Sequence, residues 1–453
     1  MNIYALIDYN LKKIKYCYFV IWSVDKFCFM RKKLKKFEPN KKLEKYKIML
    51  FDVELGDQDY TYCVYFSDNK HVPKKKNLKN ISKYEIKQKQ KQRCIKSTNF
   101  VFGSCNYSLF ISNQGVYTGC ETFKNMLHCD PDFGIFLGDQ IYADVSYPFN
   151  PCINIEDYKN LYKLQLNQPD IKKFLGTIPT YNILDDHEIY NDFTCPDAIR
   201  KIPFYNSFYK YMIKPSKQHI TDGLTTYKTI QYIYNPGGLE NINKIKKNDL
   251  HYTFSKKFCE FFIVDMRTDC SKKYYMSEKQ TNELIYWLKN CPRNSIKFIG
   301  TSLPIYPKFT KEKVEKKFPT KVIDYIFRNN IQKVIFLCGD VHFSYIAKTI
   351  CNKKYIKIIN KQEYTKAIQK KKSNNYIYTI CSSPINLLPV GNTLSKHETK
   401  DIYIDGCYES KLIKDFIYPY SNFVKVSIKN KNCIKIKLVS KTEKKLLRHS
   451  INY

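Results

Sequence analysis

The chain has no apolar run of eighteen residues or more, so no membrane-spanning helix is expected in it. It has no C-x-x-C pair and no regular cysteine spacing, which argues against a disulfide scaffold; most of the 17 cysteines read as small buried hydrophobes. Heptads, a collagen period and internal repeats are also missing, which leaves an ordinary globular chain. Acid is scarce, with 42 Asp and Glu against 77 Lys and Arg. The surplus is mostly lysine scattered among Asn, Ile and Tyr, without an Arg-rich stripe or spaced aromatics, so no specific nucleic-acid partner is expected.

What is present is a core-forming composition, 43% apolar and 15% aromatic over 453 residues, enough for one large α/β domain and a smaller companion. Residues 1–97 read as a divergent β-rich N-terminal region ending in a basic linker. Within it YCYFVIWSV (Tyr16–Val24) reads as a core strand. It follows several lysines, as a signal segment would, but has no small-residue cleavage site. KIMLFDVELGDQDYTYCVYFSD (Lys47–Asp68) reads as a hairpin about its Gly-Asp turn, and HVPKKKNLKNISKYEIKQKQKQR as a surface linker.

From residue 98 the texture changes. NFVFGSC, DFGIFLGD, TYNILDD, CEFFIVD, IKFIGTSLP, KVIFLCGD and NYIYTICSS read as short strands between longer, helix-compatible segments. One of these segments, Ser277–Asn290, has a capping serine and one apolar face. FVKVSIKNKNCIKIKLVS reads as a C-terminal β-hairpin around Lys429–Asn432. The fold class is therefore α/β with antiparallel additions, one domain over 98–453.

The acids are unevenly placed. Between Asp130 and Phe193 there are eleven Asp and Glu against four lysines and no arginine. Inside that window ILDDHE sets three carboxylates around one imidazole directly after an apolar run. Adjacent buried carboxylates need a cation to hold them. Strand-like runs end in Cys105, Asp139, Asp186 with His187, Asp265, and Asp340 with His342. Ligands of α/β sheets bind beyond the carboxyl ends of strands, so these ends are expected to form one site.

In FLGDQIYAD, Gly138 permits close backbone approach, Asp139 suits a bridge between two cations, and the Tyr142 phenolate suits a hard trivalent ion. In LCGDVHFS, Asp340 and His342 offer a carboxylate and an imidazole to adjacent ions. A thiolate at Cys105 beside cations would be a ligand. His187, next to a metal-binding acid, is placed to donate a proton to a leaving group. Each motif alone also fits a strand-end turn, a packed tyrosine, an inert thiol or a solvated acidic loop.

Taken in order, GSC, GD-x-x-YAD, DDHE, VD-x-R-T and GDVHFS, with HYTFSKKFCEFFIVDMRT and YTICSSP, resemble the PhoD-like alkaline phosphatases, a branch of the calcineurin-like metallophosphoesterases. The resemblance runs from about Asn99 to Pro384. It implies a four-layer αββα sandwich and a dinuclear or larger centre of Fe3+ and Ca2+ rather than Zn2+ or Mn2+. By position, Cys105, Asp139, Tyr142 and His342 match the iron ligands, with Asp139 bridging to a second site that includes Asp186 and Asp340. It implies hydrolysis of phosphate esters, with a metal-held hydroxide in line with the scissile bond, Asp139 and Asp186 at the catalytic centre and His187 as proton donor. Asp265 is expected to be an orienting acid, Arg267 a structural or phosphate-facing group, and Arg267 with Asn191 substrate-binding.

Two departures stand out. The N-terminal region lacks a clean export signal, although the resemblance favours a secretory or endomembrane compartment. At FIGTSLPIY, where many relatives carry a metal-binding histidine, only Thr301 and Ser302 are available, which points to an oxygen-rich second site and calcium. Nothing in the sequence separates monoesters from diesters, so a nuclease- or phospholipase-like diesterase is the enzymatic alternative. A catalytically inactive phosphate- or membrane-binding scaffold is the non-enzymatic one.

Overall fold

The computed structural model describes residues 97–107, 109–112, 115–118, 121–144, 152–194, 217–234, 249–271, 273–305, 317–352, 375–386, 402–405, 407–442 and 446–453. N-terminal to these it describes strand segments at 2–8, 16–22, 27–33, 46–52, 60–67 and 84–86. The remaining parts of the predicted linker lie outside the described residues.

Two sheets build the main body. In the first, the strands run in the order Thr180–Ile183, Phe133–Leu137, Thr98–Gly103, Asn422–Asn430, Cys433–Ser440 and Leu446–Asn452. Phe133–Leu137 is parallel to both of its neighbours, and the C-terminal hairpin joins antiparallel to Thr98–Gly103. In the second sheet Cys259–Ile263, Ile296–Gly300, Val334–Cys338 and Tyr376–Cys381 are parallel. Tyr252–Lys256 flanks them on one edge, and Ser344–Cys351, Tyr408–Tyr418 and Ile402–Asp405 flank them on the other. All seven runs read as strands in this region are strands.

Side-chain alternation sorts these strands into layers. Phe100, Phe102 and Phe133 of the first sheet meet Phe261 and Phe298 of the second, with Phe100 5.7 Å and 5.3 Å from the last two rings. The intervening residues face outward. Val101 and Phe136 pack on Phe123 and Met126 of the helix Glu121–His128 and on Ile171 and Phe174 of the helix Pro169–Thr177. Phe262, Ile299 and Phe336 pack on Leu284 and Leu288 of the helix Glu278–Asn290 and on Val322, Ile323 and Ile326 of the helix Thr320–Arg328. The result is the four-layer helix–sheet–sheet–helix sandwich. Ser277 caps the helix Glu278–Asn290 by accepting the Gln280 N–H at 3.1 Å, as its sequence predicts.

The N-terminal strands pair only with one another among the described residues. Tyr16–Trp22 is a strand, as expected. The expected hairpin across Gly56–Asp57 is corrected. Tyr46–Asp52 pairs with Asn2–Asp8, whereas Tyr60–Ser67 pairs with Tyr16–Trp22 and with the short strand Tyr84–Ile86 in the predicted linker. Ten described cysteines are free thiols, and Cys270 is disulfide-bonded.

Candidate metal centre

The two Gly-Asp turns are where the sheets' carboxyl ends come together. Gly138 has φ +95°, and a Cβ there would sit 2.3 Å from Asp185 Cβ and 2.7 Å from its nitrogen. A Cβ on Gly339 would sit 2.2 Å from Ser104 Oγ. Only glycine lets these loops approach so closely. Immediately after them the backbone is left-handed at Asp139 (φ 52°) and Asp340 (φ 68°), and also at Cys105 (φ 58°) and His342 (φ 56°). Such conformations cost a non-glycine residue of the order of 1 kcal/mol or more, and clustering of that cost marks a functional site.

These residues meet in one buried place. Cys105 Sγ donates to Asp139 Oδ2 at 3.2 Å and receives a hydrogen bond from Ser383 Oγ at 3.2 Å. Tyr142 Oη lies 3.4 Å from His342 Nε2. The ligand atoms of Cys105, Asp139 and His342 lie within 4.8 Å of one another, as do those of Asp139, Asp186 and His187, and those of Asp139, Asp185, Asp186 and Asp340. Asp139 belongs to all three groups. Of the strand ends expected to converge, those carrying Cys105, Asp139, Asp186 with His187, and Asp340 with His342 do so. The thiol, the phenol and the late imidazole are among the groups that meet.

Asp265 stands apart. It accepts the backbone N–H groups of Arg267 at 3.0 Å and Thr268 at 2.8 Å and the Thr268 hydroxyl, so it caps its own turn. That turn aims Arg267 inward. Its guanidinium is fully buried, with Nε 2.5 Å from Asp185 Oδ1, Nη2 3.4 Å from Asp186 Oδ1 and Nη1 donating to the Phe193 carbonyl at 3.2 Å. In this geometry the Arg267 side chain braces the acidic loop from beneath, the structural one of the two roles expected for it. Asn191, also expected to bind substrate, is exposed, and its backbone N–H donates to Asp144 Oδ2 at 2.8 Å.

Two roles were not assigned from the sequence. Glu188, fully buried, accepts the N–H groups of Asp139 at 3.2 Å, Gln140 at 2.7 Å and Asp185 at 2.8 Å, tying the Gly-Asp turn to the acidic loop. Burial pushes its carboxyl up to about 8 in spite of those bonds. Asp144 holds His187 Nδ1 at 2.8 and 3.0 Å from its two oxygens. Both residues stand in the motifs quoted above, but no residue-level cue says which way a carboxylate turns.

The electrostatics call for positive charge. Burial raises the Asp139 carboxyl well above its usual range; His187 opposes this, and Asp186, Asp185 and Glu188 reinforce it. Burial, then Asp139 and Asp340, pushes the Cys105 thiol up. Burial, with His187 beside it, brings His342 down to about 4, which leaves a neutral imidazole suited to ligation. Asp186 Oδ1 is buried with the Arg267 guanidinium 3.4 Å away, and Asp185 Oδ2 is buried on the same loop. Carboxylate oxygens with so few donors at such depth fit a cation site. Thr301 spends its hydroxyl on the Leu303 carbonyl at 2.9 Å, while the buried Ser302 hydroxyl lies beside the Asp185 carboxyl. The donors thus fall into three groups that share Asp139: one with the Cys105 thiol and the His342 imidazole, one with Asp186 and the His187 imidazole, and one of carboxylates alone. They fit metal ions.

Among the described residues no helix is long and apolar enough to cross a membrane. No curated protein matches the chain. The fold is similar to that of PhoD, at 14% identity and TM-score 0.61, covering 96% of this chain and 83% of that one. It is also similar to that of a purple acid phosphatase from yellow lupin (Lupinus luteus) seeds, at 12% identity and TM-score 0.55, covering 100% of this chain and 72% of that one. Residues 100–212 match the family described as PhoD-like phosphatase, a segment that includes Cys105, Asp139, Tyr142, Asp144 and the DDHE loop. Residues 100–212 are thus similar to the PhoD-like phosphatase family, and the fold of the chain resembles those of PhoD and of the lupin purple acid phosphatase.

Proposed function

We propose that the chain hydrolyses phosphate esters with metal ions held by the residues that meet around Asp139. The observation that carries this reading is the convergence of Cys105, Tyr142, His342, Asp186 and Asp340 around the Asp139 carboxylate. The thiol–phenol–imidazole set suits ferric iron and the carboxylate set suits calcium. Metal ions bound there supply neutralising charge for phosphoryl oxygens and a water acidified toward neutral pH.

The chain's own contribution is position and proton handling. Arg267 and Glu188 fix the acidic loop and the Gly-Asp turn, so the ligand carboxylates stay in place in the absence of substrate. Asp144 orients His187 through Nδ1 and favours its protonated form, leaving Nε2 to pass a proton to the departing oxygen. Burial alone would lower the His187 pKa; Asp144, followed by Asp186, outweighs it and holds the imidazole well above its ordinary range.

Asp144→Asn tests this assignment. Asparagine keeps the shape and loses the charge, so kcat for a phosphate ester with a poor leaving group is expected to fall about 10–100-fold. The imidazole pKa falls, so the alkaline limb of the kcat profile moves to lower pH. A nitrophenyl ester, whose leaving group needs no proton, is expected to lose far less. Equal losses on the two esters would remove His187 from the proton-donor role. Assaying p-nitrophenyl phosphate and bis(p-nitrophenyl) phosphate side by side tests hydrolysis itself and separates monoesterase from diesterase. No turnover of either by metal-loaded protein favours the inactive scaffold.

A further inference from the structure

The last three strands of the first sheet carry a charge pattern that the metal centre does not use. From Asn422 to Tyr453 the sequence has nine cationic residues (Lys425, Lys429, Lys431, Lys435, Lys437, Lys441, Lys444, Lys445 and Arg448) and one acid, Glu443. Pairing register turns part of this excess into a row. Lys425 stands opposite Lys437, and Lys437 stands opposite Arg448. The next row along sets Lys435 between Ser427 and Ser450.

Burial alternates along these strands, so the row lies on a single face. Val424, Val426, Ile428, Ile434, Ile436 and Leu438 are buried in the core, while Lys429, Lys435 and Arg448 are exposed and Lys425 and Lys437 half-buried. Lys425 donates to the Cys129 carbonyl at 2.7 Å. Lys429, Lys435, Lys437 and Arg448 have no acidic partner within ion-pair distance among the described residues, whereas Lys441 pairs with Glu121 at 3.1 Å. Like charges directly opposite each other across strands destabilise a sheet. Burial of the opposite face confines any charge to this one; what sets the row apart is that its cations stand directly opposite one another across the strands with no acid between them.

We propose that this face is a docking surface for an anionic lipid bilayer. The face belongs to a three-stranded ribbon, and its cations are mostly lysine point charges, which attract a negatively charged surface without selecting a shape. Among the described residues of 422–452 there is no exposed aromatic ring of the kind on which single-stranded nucleic acid stacks. At its rim Leu446 is 40% exposed, next in sequence to Lys444 and Lys445, an apolar contact for the headgroup boundary. This inference does not depend on the phosphoesterase reading.

The test is sedimentation of the full chain with phosphatidylcholine vesicles, with and without phosphatidylserine. Wild type is expected to bind only the anionic vesicles and to release them as salt is raised. The triple variant Lys435→Glu/Lys437→Glu/Arg448→Glu is expected to bind about a hundredfold more weakly, each basic residue contributing about fivefold. A matching Lys435→Gln/Lys437→Gln/Arg448→Gln variant, checked by thermal melting, covers the case in which charge reversal disturbs the sheet. The proposal is overturned if wild type binds neither vesicle or both equally, if the folded variants bind as wild type does, or if a mixed-sequence oligonucleotide displaces the protein from anionic vesicles at lower phosphate concentration than fresh vesicles do.

Discussion

Asp139→Asn is expected to lower kcat/KM for phosphate esters by about a thousandfold or more while raising the melting temperature of the metal-free protein. The first effect follows from position. Asp139 belongs to every group of ligand atoms in the centre, so both metal positions lose a charged donor at once. Removing one preorganised electrostatic group from a transition state costs about 10²–10³-fold, and a shared ligand should cost at least the upper figure. The second effect follows from burial. Without a cation the Asp139 carboxylate lies 1% exposed, and burial, opposed by His187 and reinforced by Asp186, Asp185 and Glu188, makes its charge costly; asparagine removes that cost. Asparagine tolerates the left-handed backbone at φ 52° about as well as aspartate, so no new strain offsets the gain. Calorimetry of metal-free wild type and variant, together with steady-state kinetics after reloading, checks both. A variant that loses activity and also melts earlier in the metal-free state would mean that the carboxylate is structurally required.

Arg267→Met is expected to give the largest loss of stability, about 3–5 kcal/mol, because it leaves two buried carboxylates without their only guanidinium. The arginine is fully buried and engages Asp185, Asp186 and the Phe193 carbonyl, joining the VD-x-R turn to the acidic loop. Adding Asp185→Asn to the Arg267→Met background should recover part of the loss, since the uncompensated charge and not the missing volume is then the main cost. A substrate-binding arginine behaves differently: its removal raises KM and leaves the melting temperature near wild type. Denaturant melts of the single and double variants separate the two. Little change on Arg267→Met would contradict the brace.

The contrast between these residues shows what a sequence reveals. The strands of the main body were legible because short β-branched and aromatic runs ended in polar residues, and their ends in Cys105, Asp139, Asp186 and Asp340 pointed to one site. Convergence followed from a general property of α/β sheets and needed no coordinates. The direction of a side chain leaving a strand end is set by one or two backbone dihedrals. Asp265 and Arg267 therefore looked like their neighbours in sequence and face elsewhere in space. The same limit hid Asp144 and Glu188, whose roles rest on contacts to His187 and to backbone N–H groups 43 to 49 residues away. The Gly-Asp turn at 56–57 failed as a hairpin signal because strand pairing there is decided by partners elsewhere in the chain: Asn2–Asp8 for one strand and Tyr16–Trp22 for the other.

The most direct test of the account is ferric titration of metal-free protein, followed by visible absorption and metal analysis. Iron bound against the Cys105 thiolate or the Tyr142 phenolate would give a charge-transfer band; the expected result is that band in wild type at stoichiometric iron and its loss in Tyr142→Phe/Cys105→Ser. A folded wild type that takes up no iron and stays colourless, or one whose band survives in the double variant, would contradict it.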